Sequence, residues 1–269
     1  MKELGELQYF LGIEVARSKH GIFLSQRKYV LDLLTEIGML DCKPVDTPIE
    51  QNHKLGMYPD QVPTDKERYQ RLVGPLIYLS HTRPDIAYDV SMVSQFMHQP
   101  SEAHMNGVTR IMRYLKAAPA KGLMFSKHTH INLEGYTDAD WAGSITDRRS
   151  TFGYFTFVGS NLVTWRSKKQ RVVARSSAEA EFRGMAQVLS ELLWLRRLLK
   201  DLGVKPLKAT NLYCDNKAVV EIAHNPNQLA DILTKAVSSK VFYDSLDKLG
   251  MRDICTNLRG SVSQDKNKT

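Results

Sequence analysis

Four acidic residues in the second half of the chain stand where predicted strands end or predicted helices begin. Asp138 and Asp215 each close a strand rich in β-branched or aromatic residues, Glu181 lies in the first turns of a long amphipathic helix, and Asp231 begins a further helix. Carboxylates from four such elements repel one another unless a cation neutralises them, so the arrangement indicates a divalent-metal site, most naturally for Mg²⁺. Two such ions, about 4 Å apart, generate hydroxide from water and stabilise the leaving oxygen in phosphodiester hydrolysis.

Each acid also has a structural alternative. Glu179 follows Ser176 by three residues, which is the spacing of a capping box, so we assign Glu179 to helix capping; Glu181 has no such role. Asp140 either shares the metal site or caps the turn that follows it. Asp231 is either a metal ligand or a negative charge that complements the dipole at a helix N-terminus.

The elements that would position these acids follow the order three strands, helix, strand, helix. Alternating apolar residues and turn signals predict an antiparallel meander, and apolar residues at helical spacing predict the long helix after it. The segments are the strands 130–141, 151–159 and 162–174, the helix Ala178–Leu202, the strand 210–216 and the short helix 217–224.

The first half is mostly helical. Two short strands around a turn at residues 19–21 precede a helix that ends at Gly38, and a proline-rich loop follows at 41–66. Three further helices are expected, at 67–82, 85–99 and 102–118. The whole is of the α/β (α+β) class, with one domain at 1–127, a second at 128–255 and a polar tail at 256–269.

Composition favours a polyanionic partner and disfavours several other classes of protein. Thirty-seven Lys and Arg against 29 Asp and Glu give the 269 residues a formal charge of +8. No apolar run is long enough for a membrane helix, the start has no signal-peptide pattern, and the three cysteines form no zinc or disulfide motif. We therefore expect an intracellular protein, cytoplasmic or nuclear and not secreted, with no membrane partner and no small-molecule cofactor.

One basic segment, RSKKQR at 166–171, is a candidate nucleic-acid contact. We interpret it as a basic turn whose charges follow phosphates, or equally as a solvated hairpin or a chance run of the nuclear-localisation type. Trp165 beside it either stacks on a base or sugar or belongs to the core. The candidate contact residues are Arg166, Lys168, Lys169 and Arg171.

Several stretches, taken together, resemble the C-terminal part of the Pol polyprotein of copia-type LTR retrotransposons. The resemblance extends over about residues 3–254. Its ribonuclease H part rests on EGYTDADWAGSITDRRSTFGYFTFVGSNLVTWRSKKQ, SSAEAEFRGMA, LLWLRRLL, LYCDNKAVVEIAHNP and QLADILTK. Its upstream part, similar to the thumb and connection of a reverse transcriptase, rests on GELQYFLGIEV, QRLVGPLIYLSHTRPDIAYDVSMVSQFMHQP and RIMRYLKAAPAKGL.

The resemblance implies a ribonuclease H-like mixed sheet flanked by helices, preceded by a mostly helical reverse-transcriptase remnant. It implies that Asp138, Glu181, Asp215 and Asp231 are catalytic residues that hold two Mg²⁺ or Mn²⁺ ions. The implied reaction is hydrolysis of the RNA strand of an RNA/DNA hybrid. The implied partners are that hybrid and the rest of a reverse transcriptase, in the particles of an intact element.

The chain departs from the family pattern in two places. It lacks the polymerase motif of the palm, and HNP runs directly into NQLADILTK, so a stretch near residues 226–228 is missing. Without that stretch the strand 210–216 becomes a sheet edge, and the position of Asp231 is altered. Three functions remain open: a ribonuclease H-type endonuclease, an inactive transposon relic that at most binds nucleic acid, or a structural connection subunit of a larger reverse transcriptase, which would need a partner that carries the palm.

Overall fold

The computed structural model describes residues 7–50, 53–128, 130–204 and 209–214. All of them belong to one compact unit of the chain, and a second unit, residues 217–269, lies outside the described residues. The predicted helix at 217–224, the ligands Asp215 and Asp231, the missing stretch near 226–228 and the polar tail therefore fall outside the description.

The first sheet is antiparallel and joins the start of the chain to residues about a hundred positions later. The predicted hairpin is confirmed, with strands at 13–18 and 21–25. Two strands that the sequence did not predict extend it, one at each edge, in the order β1-β2-β3-β4. The strands are β1 (Tyr9–Phe10), β2 (Ile13–Ser18), β3 (Gly21–Ser25) and β4 (Gly122–Ser126).

Four α-helices accompany this sheet and share one apolar core. The second begins at Asp65, whose side chain accepts from the Arg68 N–H, and the fourth begins at Ser101 in a capping box with His104. The third is shorter than the predicted 85–99, because turns bonded three residues apart carry the chain from Ser94 to Pro100. The helices are α1 (Arg27–Glu36), α2 (Lys66–Leu79), α3 (Ala87–Ser94) and α4 (Glu102–Ala117), with a 3₁₀ turn at Pro84–Ile86.

The second sheet is mixed, and a long helix covers one of its faces. The strand order is β7-β6-β5-β8; β5, β6 and β7 pair antiparallel, whereas β5 and β8 are parallel. The strands are β5 (Leu133–Ala139), β6 (Thr151–Val158), β7 (Asn161–Lys169) and β8 (Asn211–Cys214), and the helix is α5 (Ser177–Asp201). The expected α/β class, with a mixed sheet and a preceding mostly helical part, is confirmed. Within the described residues β8 is one of the two edge strands, and β7 is the other.

Residues 166–169 of the basic segment lie in a strand, which corrects the interpretation of 166–171 as a turn and agrees with the predicted strand 162–174 up to residue 169. Residues 166–169 continue strand β7 and pair with β6 as far as the Thr151–Lys169 register position. The β-branched and aromatic residues just before the segment extend the strand into it, and the positive charges are accommodated on the sheet.

Several hydrogen bonds connect the residues before and after 127. The indole N–H of Trp165 donates to the Ser80 carbonyl at 2.9 Å, and the Met57 N–H donates to the Thr146 hydroxyl at 3.0 Å. Trp165 is therefore a bridging residue in this structure. The boundary at 127/128 stays a prediction.

No helix within the described ranges is long and apolar enough to cross a membrane.

Candidate active site

Glu181 is a buried carboxylate at the ends of two parallel strands. It lies in the second turn of α5, and only 4% of the residue is exposed. Its Oε1 accepts from the Ala139 N–H at 3.1 Å, and its Oε2 accepts from the Cys214 thiol at 3.5 Å. The carboxylate therefore contacts the last residue of β5 and the last residue of β8.

The close packing of α5 on β5 brings Glu181 to this position. A Cβ at Gly135 would stand 2.8 Å from Leu192 Cδ1, and a Cβ at Gly184 would stand 3.1 Å from Thr137 Oγ1. Glycine at both positions lets helix and strand approach each other without a side chain between them. The N-terminus of α5 is fixed by Ser176, whose hydroxyl accepts from the Glu179 N–H at 3.1 Å.

Glu179 lies at the start of α5 as expected, but only the Ser176 half of the predicted capping box forms, because the Glu179 side chain accepts from Arg175 instead of from the N-cap residue. Its Oε2 accepts from the Arg175 N–H at 2.8 Å, and its Oε1 pairs with Arg183 at 2.8 Å. These hydrogen bonds hold the pKa of Glu179 below its ordinary value, the backbone N–H of Arg175 being the largest cause. Two glutamates two residues apart thus have different tasks.

Asp138 is exposed on β5, directly before the residue whose amide contacts Glu181. Because side chains alternate along a strand, Asp138 lies on the face of the sheet opposite to α5. There it lines a cleft of about 290 Å³, whose other walls include Tyr88 and Trp165. Asp138 and Glu181 are therefore brought to adjoining positions at the end of β5, one facing the cleft and one buried.

Asp140 fastens the chain after β5 to the start of β6. Its Oδ1 accepts from the Thr151 N–H, and its own N–H donates to the Thr151 carbonyl at 3.0 Å. A Cβ at Gly143 would stand 1.8 Å from Asp140 Oδ2, so the following turn closes tightly over this carboxylate. Burial raises the pKa of Asp140, and the negative charge of Asp138 adds to that rise against the lowering effect of the Thr151 N–H.

The other two predicted metal ligands, Asp215 and Asp231, lie outside the described residues. Asp215 follows Cys214 directly in the sequence. Within the described ranges no three His, Cys, Asp or Glu side chains form a group that could hold a metal ion. Since two of the four expected ligands are not among them, the metal site stays a prediction.

The candidate nucleic-acid residues are divided between the two faces of the second sheet. Arg166 and Lys168 pair with Tyr154 and Phe152, on the face that α5 covers, whereas Lys169 is on the opposite face and forms an ion pair with Asp147 at 3.2 Å. Lys168, Lys169 and Arg171 also line a cleft of about 510 Å³, together with Arg183 and Gln187 of α5. The contribution of α5 to this basic cleft could not be read from the segment 166–171 alone. Its role in binding stays a prediction.

The first half of the chain also contributes to the cleft that contains Asp138. Pro84, Ala87 and Tyr88, at the start of α3, form part of its wall. Sequence reasoning missed these residues, because they lie about 50 positions before Asp138 and no local pattern marks them.

Comparison with known proteins identifies relatives along nearly the whole chain. The chain is 39% identical to the retrovirus-related Pol polyprotein from transposon RE1 of Arabidopsis thaliana, over 93% of its own length and 19% of the relative. It is 39% identical to the corresponding polyprotein from transposon TNT 1-94 of Nicotiana tabacum, over 84% of its length and 18% of the relative. An uncharacterized mitochondrial protein of Arabidopsis thaliana, AtMg00810, is 43% identical over 72% of the chain and 80% of that protein. No protein-family model matches.

The chain spans about a fifth of the length of the polyproteins that it matches. The alignment with the RE1 polyprotein extends over 284 residues, which is more than the 269 residues of the whole chain. The missing stretch expected near residues 226–228 stays a prediction. Identity over nearly the whole chain to several such polyproteins is decisive: the chain belongs to the retrovirus-related Pol polyproteins of copia-type transposons.

Proposed function

We propose that this fragment of a retrotransposon Pol polyprotein hydrolyses the RNA strand of RNA/DNA hybrids through its ribonuclease H-like domain, with divalent metal. The observation that carries the proposal is the position of Glu181. Glu181 is 96% buried and accepts hydrogen bonds from the ends of β5 and β8. Burying a carboxylate lowers the stability of the fold, so its presence here indicates a function. It stands next to the backbone of Asp138 and against the residue that precedes Asp215.

Carboxylate oxygens are the preferred ligands of Mg²⁺ and Mn²⁺. Asp138 and Glu181 supply such oxygens at the end of β5, but from opposite faces of the sheet, so the described residues alone do not form a complete donor set. We propose Asp138 and Glu181 as ligands, together with Asp215 and Asp231 from outside the described residues. When bound, the two ions would lower the pKa of the attacking water and neutralise charge on the scissile phosphate.

The residues of the chain have separate roles in this proposal. Glu181 is held in one orientation by the Ala139 amide, which limits its freedom to reorient between turnovers. Asp138 faces the cleft and is open to a substrate there. Lys168, Lys169 and Arg171, together with Arg166, would attract the phosphates of the hybrid, so that binding weakens as salt rises.

A second candidate function is that of an inactive relic that at most binds nucleic acid. The direct junction of HNP and NQLADILTK in the sequence favours it. A deletion that displaces one ligand by about 1 Å would cost on the order of a hundredfold in rate. A passive binder would lose affinity with salt and change little on Asp138→Asn.

The test is cleavage of a hybrid labelled on its RNA strand by the purified chain with Mg²⁺. Asp138→Asn and EDTA should each abolish cleavage, whereas Asp140→Asn, at the neighbouring acid that accepts from Thr151, should leave metal dependence intact. Cleavage that persists in Asp138→Asn would contradict the proposed role of Asp138 as a metal ligand. A folded chain that binds the hybrid in low salt and does not cleave it would favour the relic.

A further inference from the structure

Tyr88 stands on the wall between two adjoining cavities beside the candidate acids. The larger, of about 290 Å³, is also lined by Asp138, and the smaller, of about 150 Å³, is also lined by His53 and Lys169. Asp140 lines both. The ring of Tyr88, 42% exposed, therefore faces the acids from the first half of the chain.

His53 fixes the hydroxyl of Tyr88. The Nε2 atom of His53 is 3.0 Å from the Tyr88 oxygen, and the Nδ1 atom of His53 is buried without a hydrogen-bond partner. Burial lowers the pKa of His53, so the ring is neutral and carries one N–H. A buried N–H without an acceptor is rarer than a buried lone pair without a donor, which favours the proton on Nε2.

In that tautomer His53 donates to the Tyr88 oxygen, and the phenolic proton of Tyr88 is left for another acceptor. The Tyr88 hydroxyl has no further hydrogen bond to any residue in the described ranges. Burial raises the pKa of Tyr88, and the charges of Asp140 and Asp89 add to that rise, so the phenol keeps its proton. The result is a neutral, oriented donor on the wall of a cleft that also holds a carboxylate.

We propose that Tyr88 binds the sugar-phosphate backbone of the RNA strand beside Asp138, so that both halves of the chain contact the substrate. The proposal rests on the proposed function, since it takes the RNA/DNA hybrid as the ligand. Phosphate and ribose oxygens are acceptors that suit an oriented phenol, and a neutral donor adds no charge to the site. The half-exposed ring adds a flat apolar surface against which a sugar or base can pack.

The test compares Tyr88→Phe, which keeps the ring and removes the hydroxyl, with Tyr58→Phe. Tyr58 is a suitable control because it lies in the same half, is 40% exposed and lines neither cavity. Binding of a fluorescent RNA/DNA hybrid to the full chain is measured by anisotropy, with Ca²⁺ in place of Mg²⁺ and a gel to confirm that the hybrid stays intact. Tyr88→Phe should raise Kd about tenfold, as expected for a lost hydrogen bond to a charged group, and Tyr88→Ala at least as much.

Three binding results would overturn the proposal: an unchanged Kd in Tyr88→Phe, an equal rise in Tyr58→Phe, or no binding of the hybrid by the unaltered chain. Thermal melting of each variant separates lost contacts from lost folding. Cleavage in Mg²⁺ is scored separately. Cleavage by Tyr88→Phe at the rate of the unaltered chain would refute the role of Tyr88 and leave the proposed function standing. Loss of affinity in Tyr88→Phe but not in Tyr58→Phe, in a chain that never cleaves the hybrid, would support the role of Tyr88 and contradict the proposed function.

Discussion

At the scale of single residues, two buried carboxylates have opposite surroundings. Glu181 accepts hydrogen bonds from a backbone amide and a thiol. Asp89 of α3 is 3% exposed, and its Oδ1 atom has no hydrogen-bond partner. Burying an ionised carboxylate is costly unless donors or a cation compensate, so only the surroundings of Glu181 suit an ionised acid. Asp89 has no role in the proposed chemistry, and its effect is on stability.

Burial raises the pKa of Asp89 to about 7 from 3.8, opposed by its own backbone amide and increased by the nearby charge of Asp85. The pKa of Asp89 is higher in the folded chain than in the unfolded one. The contribution of the protonated Asp89 side chain to stability is therefore complete below about pH 3.8 and is lost as pH rises to about 7. Asp89→Asn should therefore raise the free energy of unfolding by roughly 2–4 kcal/mol at about pH 8. Urea denaturation across this pH range measures it.

The control for that experiment is Asp32→Asn, since the Asp32 side chain is 64% exposed in a surface pair with Lys28. Its effect should stay within about 1 kcal/mol. An Asp89→Asn variant that is no more stable than the unaltered chain above pH 7, and that keeps the same pH dependence, would contradict the assignment.

At the scale of elements, the position of Glu181 depends on where α5 begins. The hydroxyl of Ser176 satisfies one of the first amides of the helix, and Glu179 satisfies the amide of Arg175. Fraying of this first turn would loosen the turn that carries Glu181. The cap is therefore relevant to the site as well as to the helix.

Ser176→Ala should lower the free energy of unfolding by about 1 kcal/mol, because the Glu179 amide loses its acceptor. Ser177→Ala, one residue further at an exposed position inside the helix, should change it much less. Thermal melting compares the two. Equal losses in both variants would show that the hydroxyl of Ser176 does not cap α5.

The elements that the sequence predicted best are those set by local pattern. The hairpin β2–β3, the meander β5–β7 and the helices α4 and α5 follow from alternation, helical spacing and caps. Strand β4 was missed because its partner, β3, lies about a hundred residues earlier, and pairing at that separation leaves no local signal. Residues 166–169 fell both in the predicted strand 162–174 and in the predicted basic turn; the alternation favoured the strand, and the register with β6 keeps them extended.

The candidate site was predictable to a similar extent. The end of β5 and the start of α5 could be found from sequence, and they place Asp138 and Glu181 at the same end of the sheet, on opposite faces. The face on which each basic residue lies, and the approach of Tyr88 from α3, depend on tertiary packing and could not be predicted.

At the scale of the whole molecule, the two halves are held together by a few directed contacts. The indole of Trp165 in β7 donates to the carbonyl of Ser80 at the end of α2. Trp165→Phe removes the indole donor and leaves the Ser80 carbonyl without this hydrogen bond, which should lower the free energy of unfolding by about 1 kcal/mol. Trp194→Phe, at a tryptophan that is 54% exposed, is the matched control. Urea denaturation that gives the same loss for both would contradict this role of Trp165.

Glu181 is central to the proposed site, and its most direct test is the rate of RNA-strand cleavage by Glu181→Gln and Glu179→Gln, measured side by side in Mg²⁺. Glutamine keeps the shape and one acceptor, so folding is preserved and charge is removed. We predict that Glu181→Gln lowers the rate by about a hundredfold or more, because metal stabilisation is worth several kcal/mol, whereas Glu179→Gln keeps most of the activity. Equal rates in the two variants, or cleavage by Glu181→Gln at the rate of the unaltered chain, would contradict a metal-dependent site at the ends of β5 and β8.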